Sequence, residues 1–210
     1  MESADRLDHQ REFERSWVDR RHSRAQRPPL DINRVLAERY RANRPIAFTR
    51  SMLWDVAVGK AWQPDRYTPS AVRAGSVATW GRRIADDGAE TFCRASEQRL
   101  WPEPHAFGLV LEQVRLDPRQ QKVTVIGARQ LPTRCGRMLH ADPRQPVFSV
   151  EDAIGGDETA PVNRSRIVHL TEEPDETLID AGDRAPSRAP LPEFVEIYLQ
   201  RTLGVALTRR

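Results

Sequence analysis

The sequence predicts an α+β protein with a curved antiparallel sheet of about six to seven strands, packed on a C-terminal helix and preceded by an N-terminal helical arm. Three turns divide the run from Gly75 to Pro132 into alternating apolar and polar segments: Asp86-Asp87-Gly88, Pro102-Glu103-Pro104 and Asp117-Pro118-Arg119-Gln120. An amphipathic segment follows Pro192. Strands and helices do not alternate as they would in a parallel sheet.

Two helices are predicted before this run of strands. Asp31 is a favourable N-cap for an amphipathic helix that ends before Asn43 and Pro45. Residues 46–49 then form a short strand candidate. Ser51 is expected to cap a helix over 52–58, which is apolar on most sides and should be buried near the sheet.

Two further strands and the last helix are predicted after the run. Residues 146–150 and 164–170 have the composition and alternation of strands. Residues 171–190 are acidic and then rich in Pro, Ser and Arg, which indicates a surface segment. Pro192 begins the final helix and Gly204 is its C′ residue.

Residues 1–30 are predicted to be a flexible basic arm, and residues 31–210 a single α+β domain with a ligand pocket. Residues 1–50 carry 12 arginines against 8 acidic residues. Mixed charge and little apolar surface favour a loosely ordered segment. Nucleic-acid binding through residues 20–24 is not expected, because acidic residues are interspersed nearby. Phe13 and Trp17 are the expected docking points of a partner chain, so a homodimer remains an alternative to a monomer.

Composition excludes several classes of protein. No apolar run approaches the ~20 residues of a membrane span, so we expect a soluble, cytoplasmic protein without membrane contact. Cys93 and Cys135 are too few for a disulfide framework. No dinucleotide, phosphate-loop or nucleophile-elbow motif is present, so no cofactor is expected. His140 and Asp142 lack a second nearby histidine, so no metal site is expected either.

The predicted register of the hairpins selects the candidate site residues. Pairing Ile84 with Thr91 and Leu116 with Lys122 puts Glu97 and Arg129 on the more apolar, inward face. A charge there is costly unless it is paired or hydrated. The two residues therefore form either a buried ion pair or the polar anchor of a ligand pocket. The aromatic residues expected to line that pocket are Trp54, Trp80 and Tyr198.

Glu112 and His169 complete the set of candidate ligand contacts. Glu112 lies on the opposite face of its strand from the residues above, between Val110 and Val114. His169 lies on a predicted strand, where it is either a structural histidine or a general base.

The layout resembles the helix-grip proteins, the START-like or polyketide cyclase (SRPBCC) superfamily. The resemblance covers about residues 45–207 and rests on Ile46–Thr49 leading into Met52-Leu53-Trp54-Asp55, on Trp62-Gln63-Pro64 and on Leu191 to Leu203. It implies an apolar cavity between a curved sheet and the last helix, and a cyclase, aromatase, dehydratase or carrier that acts without a cofactor.

A shorter stretch is similar to chorismate-lyase-like domains, through Gly75-Ser76-Val77 and the strand from Leu111 to Leu116. Leu111 stands where that family has an arginine. The leading hypothesis is a cyclase or dehydratase of secondary metabolism for an apolar or aromatic small molecule, with Glu97 as general acid–base and Arg129 holding an enolate oxygen. A non-catalytic carrier, a chorismate-lyase-like enzyme and an interaction protein that uses the basic arm remain as alternatives.

Overall fold

The main sheet of the protein contains seven antiparallel strands. The computed structural model describes residues 7–183 and 191–210. Eleven strands occur in this part of the chain: β1 Ser23–Asp31, β2 Tyr40–Ala42, β3 Ala78–Ile84, β4 Glu90–Arg99, β5 Phe107–Asp117, β6 Lys122–Ala128, β7 Gln130–Pro132, β8 Met138–His140, β9 Phe148–Asp157, β10 Ala160–His169 and β11 Leu207–Arg209. The main sheet has the order β1-β10-β9-β6-β5-β4-β3, and β11–β2 and β7–β8 form two small ribbons.

The first three helices begin at polar side-chain caps. The helices are α1 His9–Val18, α2 Ile32–Arg39, α3 Arg50–Trp62, α4 Pro64–Tyr67, α5 Glu176–Asp183 and α6 Glu193–Ile197, which continues as a π-helical turn over Tyr198–Thr202. Asp31 accepts a hydrogen bond from the backbone N–H of Arg34, which confirms it as the cap of α2. Thr49, rather than Ser51, caps α3. No helix in the described part of the chain is long and apolar enough to span a membrane.

The two faces of the main sheet are covered by different elements. The inner face, defined here as the face that packs on α3, shares one apolar core with α2, α3 and the C-terminal helix. The outer face is covered by α1 and by the β7–β8 ribbon. Three residues represent the inner core: Leu53 of α3, Val114 of β5 and Leu199 of the C-terminal helix are almost completely buried. The α+β architecture that the sequence predicts is confirmed.

Residues 8–31 are part of this fold, contrary to the loose arm that the sequence analysis expects. Phe13 of α1 is fully buried and stacks on Trp17 at 6.1 Å between ring centroids. Strand β1 pairs with β10 from Ser23 onward, with an irregularity at the two prolines. Average composition is a poor guide here, because one aromatic pair and an edge ladder of backbone hydrogen bonds hold the segment. Residues 1–6 lie outside the described residues.

The predicted hairpin registers are wrong by one or two residues. Ile84 pairs with Glu90 and Trp80 with Cys93, because the turn is longer than two residues and the ladder is irregular between Trp80 and Arg83. Gly81 lies in that irregularity at φ +68°. In the β5–β6 hairpin, Leu116 pairs with Val123 rather than with Lys122.

The predicted faces change as a consequence, since a slip of one residue exchanges the two faces of a strand. Val110, Glu112 and Val114 belong to the inner side, and Val114 is part of the core that contains α3. Glu97 shares the side of Ala95 on β4, as the sequence predicts, but this is the outer side of the sheet, where Ala95 packs against the β7–β8 ribbon.

Candidate functional site

A buried ion pair lies on the inner face where β4 and β5 are paired. Arg94 and Glu112 are directly opposite each other in the ladder. Nε and Nη2 of Arg94 donate to Oε2 of Glu112 at 2.8 and 2.7 Å, and the two side chains are 6% and 3% exposed. The arrangement is charge-assisted, with two nitrogens of one guanidinium on one carboxylate oxygen.

The same arginine holds the C-terminal end of α3. Nη1 of Arg94 donates to the carbonyl oxygen of Ala61, and to that of Lys60 at 3.4 Å. These carbonyl groups belong to the last turn of the helix. They have no intrahelical N–H donor and carry partial negative charge. The Arg94–Glu112 pair therefore positions the end of α3 against the sheet.

A second ion pair joins α3 to β9. Nζ of Lys60 lies 2.5 Å from Oδ2 of Asp152, and also 4.7 Å from the centre of the Phe194 ring. Burial opposes the ionisation of Asp152, but Lys60 and hydrogen bonds from Lys60 and Ser165 outweigh it and hold the pKa of Asp152 below its usual value. The Lys60 side chain is 24% exposed, whereas that of Asp152 is 7% exposed.

His169 is another buried polar residue on this face, at the end of β10. Its ring lies 4.4 Å from that of Trp101 in an edge-on contact, and the side chain is almost completely buried. Among the described residues, neither ring nitrogen has a hydrogen-bond partner. Burial lowers the pKa of His169 to about 4, although the Asp175 carboxylate acts in the opposite direction. The imidazole is neutral at neutral pH.

Two of the predicted aromatic residues, Tyr198 and Trp54, belong to the apolar core on the inner face. Tyr198 is buried and meets Phe48 edge-on, with 5.8 Å between ring centroids. Burial, together with the nearby Asp55 carboxylate, raises the pKa of Tyr198. Trp54 is half-buried against the same cluster. The structure thus brings Trp54, Tyr198 and Glu112 to one side of the sheet.

The other predicted residues lie elsewhere. Glu97 is 40% exposed and pairs with Arg73. Trp80 packs with the outer cluster and its indole N–H donates to the carbonyl oxygen of Pro132 at 2.9 Å. Arg129 is exposed at the junction of β6 and β7. Glu97 and Arg129 are therefore not assembled with the aromatic residues of the inner core.

Sequence reasoning did not select Arg94, Lys60 or Asp152 as partners of a site. A usable signal existed for two of them, because Arg94 lies two residues from Phe92 and Asp152 lies two residues from both Val150 and Ile154. Residues two positions apart in a strand lie on the same face, so a charged residue at this spacing from buried apolar residues is itself expected to be buried. Lys60 has no such local signal. No cluster of three potential metal ligands occurs among the described residues.

No protein-family model and no curated protein sequence matches the chain. The solved structures that are similar to it include two aromatase/cyclases and a norcoclaurine synthase. The di-domain aromatase/cyclase StfQ from the steffimycin biosynthetic pathway has a TM-score of 0.45 and 17% identity, over 79% of this chain and 46% of StfQ. The aromatase/cyclase ZhuI from Streptomyces sp. R1128 has a TM-score of 0.42 and 12% identity, over 86% and 87% of the two chains. Norcoclaurine synthase from Thalictrum flavum has a TM-score of 0.43 and 12% identity, over 97% and 96%.

The chain thus spans less than half the length of the di-domain StfQ chain. The helix-grip layout that the sequence resembles is present in the structure itself, as a curved seven-stranded antiparallel sheet whose inner core includes the C-terminal helix.

Proposed function

We propose that the protein binds an apolar or aromatic small molecule of secondary metabolism at the inner face and acts on it as a cyclase or dehydratase. The observation that carries the proposal is the presence of two ion pairs, Lys60–Asp152 and Arg94–Glu112, on the apolar side of the sheet that packs on α3. Buried ion pairs cost several kcal/mol of desolvation per ion and can often be replaced by apolar residues without loss of stability. Stability alone does not account for two of them.

Lys60 is the group best suited to contact a substrate. Its side chain is partly exposed, whereas the side chain of Asp152, which holds it, is buried. Cyclisation of a polyketone begins when a base removes a proton from the carbon next to a carbonyl, which leaves negative charge on the carbonyl oxygen. A fixed ammonium stabilises that oxygen, and an ionised carboxylate beside it accepts the proton. The enolate carbon then bonds to a second carbonyl carbon of the same molecule, and the resulting alkoxide takes up the proton from the carboxylic acid. Loss of this hydroxyl group together with a second proton from the adjacent carbon releases water and completes a dehydration.

Arg94 and Glu112 act as positioning residues in this scheme. Arg94, which is itself held by Glu112, donates to the carbonyl groups of Lys60 and Ala61 and so fixes the direction in which the Lys60 side chain leaves α3. A shift of about 1 Å in a reacting group can cost 100-fold in rate.

The test is proton exchange next to a carbonyl, which reports enolate formation without knowledge of the natural substrate. We expect the protein to accelerate hydrogen–deuterium exchange of benzylacetone in D2O, followed by proton NMR. The double variant K60M/D152N removes both charges together, so no unpaired charge is left buried, and it should abolish the acceleration.

The chain offers a matched control, because Lys122 is its one other lysine and pairs with Glu151 at 3.7 Å. The K122M/E151Q variant should keep the exchange, as should E97Q, since Glu97 is half-exposed and pairs with Arg73. A folded K60M/D152N protein with wild-type exchange would contradict the role of Lys60. Loss of exchange in E97Q would restore Glu97 as the acid–base group.

A non-catalytic carrier is the second candidate. It is favoured by the contacts of Lys60, whose ammonium already has a carboxylate and an aromatic ring as neighbours. Native mass spectrometry that shows a co-purified apolar ligand, together with no acceleration of exchange, would establish the carrier.

A further inference from the structure

An open cleft of about 780 Å³ lies away from the inner face of the sheet. Its walls come from α2, from β2 and the segment after it, from the turn between β9 and β10, and from Arg210. The lining residues are Asn33, Leu36, Ala37, Tyr40, Arg41, Ala42, Asn43, Arg44, Pro45, Ile46, Ala47, Thr159 and Arg210. We call it the arginine cleft. Its volume falls within the range of small-molecule sites, roughly 300–1,000 Å³.

The cleft carries positive charge that no lining residue offsets. Arg41, Arg44 and Arg210 line it, and no aspartate or glutamate is among the described lining residues. Arg44 donates to the carbonyl oxygen of Leu203, and Nη1 of Arg210 donates to that of Ala37 at 3.0 Å. Neutral carbonyl groups orient the guanidinium groups without neutralising them, and a guanidinium has five N–H donors, so most remain available.

The wall and floor of the cleft are held in place. The Asn33 side chain donates to the carbonyl oxygens of Phe48 and Thr159 at 2.8 and 2.9 Å and accepts from the backbone N–H of Phe48 at 2.7 Å. One amide thereby ties α2 to the segment before α3 and to the β9–β10 turn. Leu36 and Tyr40 form a floor that belongs to the apolar core. The cleft is therefore built before any ligand arrives.

We propose that the arginine cleft binds an organic phosphate, with the phosphate among the three arginines and the organic part on the apolar floor. Arginine matches the geometry of phosphate through parallel N–H donors, and three arginines with no acidic side chain among the lining residues suit a dianion. An apolar floor beneath the cations favours a ligand that also has apolar surface. The site is independent of the catalytic proposal.

Phenyl phosphate is the probe, because it combines the dianion with one apolar ring. Isothermal titration calorimetry with the full chain should show saturable binding, at least about tenfold tighter than that of inorganic phosphate. The R41Q/R44Q variant should weaken binding of phenyl phosphate at least about tenfold. The matched control is R134Q/R137Q, which removes two exposed arginines from the turn between β7 and β8, and it should bind like the wild type.

The single variant R41Q guards against a folding defect, since the Arg41 side chain is exposed and is not needed to hold the cleft. It should weaken binding severalfold with an unchanged unfolding midpoint. Equal weakening in R41Q/R44Q and R134Q/R137Q would mean nonspecific attraction to net charge and would overturn the proposal. Absence of saturable binding, or equal affinity for inorganic phosphate and phenyl phosphate, would also overturn it. K60M/D152N should bind phenyl phosphate normally, so a failure of the catalytic proposal leaves this site unaffected.

Discussion

Arg94 and Glu112 need each other, because each would otherwise be an isolated charge in an apolar environment. Glu112→Leu alone or Arg94→Met alone should lower the free energy of unfolding by about 3–5 kcal/mol, since each leaves a buried charge without a partner. The loss of unfolding free energy in the double variant should be much smaller than the sum of the two single losses. Urea unfolding of the four proteins gives the coupling free energy. Costs that simply add would show that the pair contributes no coupling.

His169 makes the stability depend on pH in a defined range. Its pKa is lowered from 6.5 to about 4, so between these values the unfolded chain binds a proton that the folded chain does not. Stability should therefore fall as pH decreases from about 6.5 towards 4, by about 2–3 kcal/mol from this group.

His169→Gln should remove that part of the pH dependence, measured as the change in unfolding free energy between pH 7 and pH 4.5. His105→Gln is the control, because His105 is exposed. A wild-type slope in the His169 variant would show that another group titrates there.

At the scale of elements, α1 should contribute measurably to stability. Phe13 is fully buried against the sheet, and the Arg166 guanidinium lies 4.9 Å from its ring. Phe13→Ala should cost about 3–5 kcal/mol, the usual range for a buried phenylalanine. Val18→Ala on the same helix should cost less than about 0.5 kcal/mol, because Val18 is 66% exposed. Thermal unfolding of both variants tests this. If α1 were only loosely attached, Phe13→Ala and Val18→Ala would lower the stability equally.

The elements that the sequence predicts well are those with local signals. Turn residues and period-two alternation predict the strands between Gly75 and Pro132, and Asp31 marks the start of α2. Register is different, because it depends on single residues: Gly81 lies at the irregularity that shifts the pairing of β3, and a shift of one residue in the β5–β6 hairpin brings Val123 and Val125 to the side of Val114.

The candidate site could be predicted only in part, for a related reason. Glu112, Tyr198 and Trp54 were selectable because a carboxylate or a large aromatic residue in an apolar stretch stands out locally. The partners Arg94 and Lys60 depend on which strands and helices meet, and distant contacts of this kind leave no mark in the spacing of residues. Strand β1 was missed because its stability comes from pairing with β10 rather than from its own composition.

At the scale of the whole molecule, the described fold should unfold as one cooperative unit. Helices α1 and α3 pack on opposite faces of a single sheet, and β1 from the N-terminal segment forms one of its edges. Urea transitions followed by far-UV circular dichroism and by tryptophan fluorescence should therefore coincide. An early fluorescence transition that disappears in Trp17→Phe would instead indicate that α1 detaches first.

The irregularity at Gly81 has a consequence for behaviour at high protein concentration. Strand β3 is one of the two edge strands of the main sheet, and an unpaired edge is a template on which a strand of another molecule can add. The break between Trp80 and Arg83 divides this edge into two short pieces, and it places two arginines, Arg82 and Arg83, beside the break. The glycine that shifts the register of the hairpin thus also limits edge-to-edge aggregation, which a straight β3 would invite.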